Sequence, residues 1–179
     1  PIPVVAENKF FGVMFDSKLS FIPHLRQLRT KCCKAMNLLK VVSHRDWGSD
    51  FKTLIKIYRC TIRSKLDYGC IVYGSARKSY IQMLDPIQNQ ALRLCLGAFR
   101  TSPVESLQIE CDELPLSLRR DKLALQYAVR IKSNPSNPTT KCMLDLNLTA
   151  LFDDKPNLIK TFPIRVRNLI RTANINVDI

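Results

Sequence analysis

The chain is poor in the residues that build metal and disulfide sites. Among 179 residues there are two histidines, His24 and His44, and the seven cysteines include no Cys-x-x-Cys pair. That leaves no zinc constellation. The cysteine count is odd, Cys32 and Cys33 are adjacent, and most of the others fall at positions that a helix would bury. The pattern reads as reduced thiols packed as small apolar side chains, the habit of an intracellular protein, with nucleus and cytoplasm left open. No apolar run approaches the length of a membrane span, and nothing in these residues reads as a signal peptide. There is no internal repeat and no basic tail. The chain opens at Pro1 where a complete protein would carry Met, which reads as a piece of a longer polypeptide.

Acidic residues are the other scarcity. Fifteen Asp and Glu stand against 28 Lys and Arg, a net charge of +13. The excess is spread along the whole chain. Such a balance calls for an acidic partner, with nucleic acid first and an anionic membrane surface second. The apolar fraction of 46% is that of an ordinary globular protein, and the length allows one good core or two small ones.

The stretch Ser49–Tyr73 dominates the pattern and predicts one long helix. Ser49 is placed to cap it, and Asp50 adds a negative charge where the helix dipole favours one. Phe51, Leu54, Ile55, Tyr58, Ile62 and Leu66 recur at helical steps and define a buried face. Lys52, Lys56, Arg59 and Arg63 form a basic stripe beside that face. Upstream, residues 1–16 predict a β-hairpin, with strands at Ile2–Val5 and Lys9–Phe15 and a turn at Ala6–Asn8. Gly12 inside the second strand marks a bulge or a close backbone approach. A helix capped by Ser20, with Pro23 in its first turn, buries Leu25, Leu28, Cys32, Ala35, Met36 and Leu39. Trp47 is expected to plug the connection that follows.

Further on, a helix over 78–96 turns Leu84, Ile87, Gln88, Ala91, Leu92 and Cys95 inward. Pro86 either kinks it or opens a new helix capped by Asp85. Gly97 stops it. Ser102 to Glu105 has capping-box spacing for a short helix. Another helix runs over 116–132 with Leu116, Leu123, Tyr127 and Ile131 on its apolar face. The sequence Asn134-Pro135-Ser136-Asn137-Pro138 breaks the chain, and weaker helical signals follow at 141–151 and 164–173. The fold class is therefore mainly α, a helical bundle with a small N-terminal β-hairpin. Three segments result: 1–16, 17–133 and a Pro-interrupted 134–179.

The run KFFGVMFDSKLSFIPHL (9–25) resembles the segment that follows the catalytic palm in reverse transcriptases of non-LTR (LINE-type, jockey-like) retrotransposons. The similarity continues in order through KCCKAMNLLKVVS (31–43), 47–76 and 84–131, with Phe11 where the family usually has Leu. The resemblance implies a hairpin acting as primer grip, through Lys9, Phe10, Phe11 and Gly12, followed by a helical thumb and linker that clasp the template–primer duplex. Gly12 would let the backbone approach a phosphate or sugar. The implied partners are an RNA and DNA template–primer duplex and the upstream palm of the same polypeptide, with no membrane. No cofactor is implied for this segment, while the parent enzyme would use Mg at acidic residues that lie upstream of the grip. For the thumb contact, helical geometry rather than a family motif selects Lys52, Lys56, Arg59 and Arg63.

Plainer readings stand beside these. The basic stripe also suits a solvated helix edge. One of Phe10 and Phe11 is expected in the core. Arg119 and Arg120 can bridge to Asp121 or Glu113, His24 is a helix-start residue without chemistry, and Asp67 either caps or pairs locally. Leu151-Phe152-Asp153-Asp154 resembles a polymerase Asp-Asp motif, but it follows the grip with no strand before it and reads as a solvated acidic loop. The rival function is a helical interaction module that docks other parts of the parent protein or an acidic partner.

Overall fold

The computed structural model describes residues 5–44, 46–134, 136–140 and 160–172. It is mainly helical with one two-stranded antiparallel sheet at the N-terminal end, as the sequence indicates. The described residues up to Leu116 form one compact unit and those from Ser117 a second. The weak signal at 141–151 and the acidic run 151–154 lie outside the described residues.

The hairpin is shifted from its expected register. Its strands are β1 (Glu7–Phe10) and β2 (Val13–Asp16), with Phe10 opposite Val13. The turn is therefore at Phe11–Gly12, not at Ala6–Asn8, and Gly12 is a turn residue instead of a bulge. Phe11 has φ 43° and Gly12 φ 80°. Positive φ at both central residues characterises the type I′ turn, whose twist matches that of the flanking strands. Glycine takes that conformation freely, and phenylalanine does not.

Helix α1 (Ile22–Val42) starts behind a cap supplied from β2. The Asp16 carboxylate accepts from the Ser20 amide (3.1 Å), the Ser20 hydroxyl (2.9 Å) and the Phe21 amide (2.9 Å). Burial pushes the Asp16 carboxyl up, but these donors outweigh it and hold it below its ordinary value. The N-cap position falls on Phe21, not Ser20, and its φ of 57° ends the loop sharply. Leu25, Leu28, Cys32, Met36 and Leu39 are buried as the periodicity requires, with Ala35 at the margin.

The long helix expected over Ser49–Tyr73 is two pieces, the first with a π-helical turn inside it. Helix α2 (Phe51–Tyr58) is capped by Asp50, whose side chain accepts from the Lys52 amide at 3.1 Å, and not by Ser49. A π-helical turn (Arg59–Arg63) leads directly into α3 (Ser64–Asp67). The wide turn has a reason in the sequence. Leu54, Tyr58, Ile62 and Leu66 are spaced by four, and on a regular helix each such step drifts about 40°. A wider turn takes back part of that drift, and all four side chains are buried. The helix then breaks at Tyr68–Gly69, where Gly69 has φ 70°, before the short α4 (Cys70–Tyr73). Tyr73 donates its hydroxyl to the Leu66 carbonyl across the break.

Pro86 opens a new helix, as one of its two readings allowed. After α5 (Lys78–Ile81) and a 3-10 turn (Gln82–Leu84), α6 (Asp85–Leu96) holds Pro86 in its first turn and ends at Gly97, φ 62°. Helix α6 packs against α1 and α2. Its buried Gln88 donates to the Leu114 carbonyl at 2.9 Å. Helix α7 (Val104–Glu110) has Pro103 at its N-cap and no side-chain cap, so the Ser102–Glu105 spacing forms no capping box. Trp47 plugs nothing: it is exposed and stacks on His44, rings 5.1 Å apart.

In the second unit, α8 (Leu116–Lys132) contributes Ala124, Ala128 and Ile131 to a small core with Val166 of α9 (Phe162–Thr172). Leu116 and Ile131 are buried as expected, while Ala124 and Ala128 are buried where Leu123 and Tyr127, both half-buried, were expected. Burial pushes the Asp121 carboxyl up, against the opposing pull of Arg120 and Arg165.

The described cysteines are free. Burial raises Cys32 and Cys111 to about 11 and Cys95 to about 12, so these thiols stay protonated and pack as apolar groups. Among the described residues no helix is long and apolar enough to cross a membrane.

The break at Gly69 is a point of close approach. A Cβ there would lie 2.9 Å from Val13 Cγ2. Gly69→Ala is expected to destabilise the fold by at least the roughly 1–2 kcal/mol of a left-handed non-glycine residue. A lower urea midpoint in circular dichroism is the measurement, and an unchanged midpoint would show that the hairpin and the break yield freely.

Candidate nucleic-acid interface

The hairpin tip is aromatic and open. Phe10 is 62% exposed and Phe11 80%. The expectation that one of them enters the core is overturned, because the two-residue turn puts Phe11 at the apex and β1 is an uncovered edge. Their rings meet edge to face at 4.6 Å. Contacts from Phe10 to Phe15 (6.5 Å) and Phe15 to buried Phe21 (5.6 Å) link the tip to the core. Lys9 is exposed on β1, opposite Met14.

Three contacts seat this tip. The Tyr68 hydroxyl donates to the Phe11 carbonyl at 2.7 Å. The Tyr68 ring lies against Gly12, where an added Cβ would stand 3.2 Å from the ring. Behind it, the Met14 amide donates to Nδ1 of His24 at 3.3 Å. His24 is only 5% exposed, with its ring 5.3 Å from that of Tyr73. It is thus a structural acceptor between β2 and α1, which its place in a first helical turn did not disclose. Burial, then the charge of Lys31, lower its pKa, and the bond from Met14 needs Nδ1 unprotonated.

The basic stripe divides in two. Lys52, in the first turn of α2, and Lys56, in its last, are both exposed. Arg59 and Arg63 turn to Glu113, in the loop between α7 and α8. Arg59 Nε donates to Oε1 at 2.6 Å, and Arg63 Nη1 donates to Oε1 and Oε2 at 2.7 and 2.8 Å. The Glu113 side chain is 2% exposed, while those of Arg59 and Arg63 are 41% and 19%. Arg59 also donates to the Cys111 and Asp112 carbonyls, each at 3.4 Å, and Arg63 reaches Asp67 at 3.8 Å. Glu113 therefore takes its arginines from the middle of the central helix. Asp67 pairs locally as expected.

A groove opens beside the hairpin tip. It has a volume of about 470 Å³ and is lined by Gly12, His24, Gln27, Leu28, Lys31, Ser64, Lys65 and Tyr68. Hairpin, α1 and the end of the central helix all contribute, and no carboxylate lines it. Among the described residues, no group of three or more His, Cys, Asp or Glu is arranged to hold a metal ion.

Comparison with known proteins points one way. The chain is 32% identical over 138 residues to the RNA-directed DNA polymerase from mobile element jockey of Drosophila funebris, covering 73% of this chain and 14% of that protein. It is 31% identical over 98 residues to the probable RNA-directed DNA polymerase from transposon X-element of Drosophila melanogaster, 54% of this chain and 11% of that protein. The chain is related to the RNA-directed DNA polymerases of non-LTR retrotransposons. A third such relative, the Pol polyprotein from type-1 retrotransposable element R1 of Nasonia vitripennis, is 29% identical over 119 residues, 65% of this chain and 35% of that protein. The chain thus spans about a tenth to a third of the lengths of these non-LTR polymerases. No family model matches it, and no solved structure matches it.

Two measurements probe the seats of this polymerase-related segment. Glu113→Gln removes the charge that two arginines share, and the expected cost is about 1.5–3 kcal/mol, the range for hydrogen bonds to charged groups. Urea unfolding reads it directly, and no change would make the clasp incidental. For His24 the folded pKa lies below the ordinary 6.5. Its stabilisation is therefore complete above that value and lost as pH falls through the folded pKa. Comparing urea midpoints at pH 7.5 and 5.0 should show a larger acid loss in the native chain than in His24→Asn, whose amide oxygen can accept from Met14 without titrating. Equal losses would remove His24 from the account.

Proposed function

We propose that this chain is a non-catalytic segment of a non-LTR retrotransposon RNA-directed DNA polymerase that helps to hold the template–primer duplex. In this reading the hairpin serves as primer grip, and the helices after it serve as thumb and following linker beside the palm of the same polypeptide. Magnesium-dependent chemistry belongs to acidic residues outside this segment, and no residue here takes a part in it. The observation that carries the reading is the hairpin tip: two aromatic rings and a lysine stand exposed at and beside a turn anchored by Tyr68.

The chemistry follows from the groups available. Lys52 and Lys56 supply charge to phosphates, and the tip supplies apolar surface to a sugar or a terminal base. Neither reads base edges, so binding is independent of sequence and sensitive to salt. Arg59 and Arg63, shared with Glu113, contribute less charge to a polyanion than helical spacing alone implied. Exposed Phe99 and Ile109 favour a second reading, in which the helices dock a protein partner.

An RNA–DNA duplex titrated with the 179-residue chain across a salt series separates these readings. Lys52→Glu with Lys56→Glu should flatten the log–log salt slope by about 1.8, two phosphate contacts at about 0.9 each. A folded chain with no duplex affinity at low salt would favour protein docking. An unchanged slope in the double variant would remove the α2 lysines from the interface.

A further inference from the structure

The groove beside the hairpin tip is a separate feature from the exposed lysines of α2. We propose that it seats one unpaired nucleotide of a nucleic-acid strand, with the phosphate at Lys31 and Lys65 and the base against Tyr68. This rests on the nucleic-acid reading above but assigns a separate site to it.

Four features favour a single-stranded occupant. The groove's volume, about 470 Å³, lies within the range of small-ligand sites and is too small for a paired helix. Its two cations come from different elements, Lys31 from α1 and Lys65 from α3, and no carboxylate opposes them. Lys65 spends one donor on the Thr61 carbonyl, which fixes its ammonium near the groove and leaves its charge in place. Tyr68 is more than half exposed, and its hydroxyl is tied to the Phe11 carbonyl, so the ring is already fixed before any ligand arrives. A cationic groove with a fixed aromatic ring is the arrangement by which single strands are held without sequence preference. Gln27 and Ser64 add polar groups that can meet a base edge or a ribose hydroxyl.

Continuity with the tip gives the site a use. Gly12 belongs both to the turn and to the groove wall. A strand end frayed from a duplex held at the tip would find the groove next to it.

The test uses the 179-residue chain, a ten-residue oligothymidylate and a blunt RNA–DNA duplex, with circular dichroism on every variant. Lys31 is exposed on α1, so Lys31→Glu leaves the fold intact. It should weaken oligothymidylate binding about fivefold or more and flatten its salt slope by about 0.7, one single-strand contact. Blunt-duplex affinity should stay within about twofold. An oligothymidylate carrying 5-iodouracil should photocrosslink to Tyr68, located by peptide mass spectrometry. Single-strand binding unaffected by Lys31→Glu, or crosslinks that map elsewhere, would overturn the groove assignment while leaving the duplex reading in place. Duplex binding without single-strand binding would do the same. Binding of neither would overturn both.

Discussion

A carboxylate almost wholly removed from water dictates much of this architecture. Glu113 cannot stay charged in that position without compensation, and the compensation comes from two arginines one turn apart on the central helix. They bring the loop after α7 onto the middle of that helix, some fifty residues away in sequence. The same requirement decides what the basic stripe is for. Its second half is tied into the scaffold, while its first half stays in water. A row of four cations that looks uniform in the sequence is two pairs with different duties.

The other organising contact rests on two glycines. The hairpin leans on the place where the central helix stops, with Val13 set against the bare Gly69 backbone and Gly12 against the Tyr68 ring. Helix continuity and hairpin docking compete for these residues, and docking wins. The sheet of two short strands would be marginal alone. Here it is held through Tyr68, His24 and the Asp16 cap, three polar contacts from three parts of the chain.

How much of this the sequence discloses depends on the range of the interaction. Local signals read well: the limits of α8, the proline opening α6, the glycine ending it, and the buried rows of α1 and α6 all follow from periodicity and punctuation. The hairpin turn is not legible because Phe11-Gly12 lacks the usual Asn-Gly or Asp-Gly signature, and phenylalanine seldom accepts positive φ. The break at Gly69 sits inside a strong helical pattern, and the residue it lies against, Val13, is more than fifty positions earlier. Glu113 offered no local sign of which arginines it would take. For the candidate site, the exposure of Lys52 and Lys56 follows from helical spacing. The exposure of both Phe10 and Phe11 does not, because aromatic residues in a strand ordinarily signal burial.

The distribution of thiols has a practical side. Cys32, Cys70, Cys95 and Cys111 are shut inside the protein, while Cys33 and Cys60 face the solvent. Cys60 lies in the π-helical turn, one residue from Arg59, and Cys33 lies two residues from Lys31 on α1. Among the described residues, the native chain thus offers two attachment points for a fluorophore or spin label, one next to the Glu113 clasp and one near the groove. The separation between these labels would report on how α1 and the central helix hold together, with no cysteine introduced by mutation.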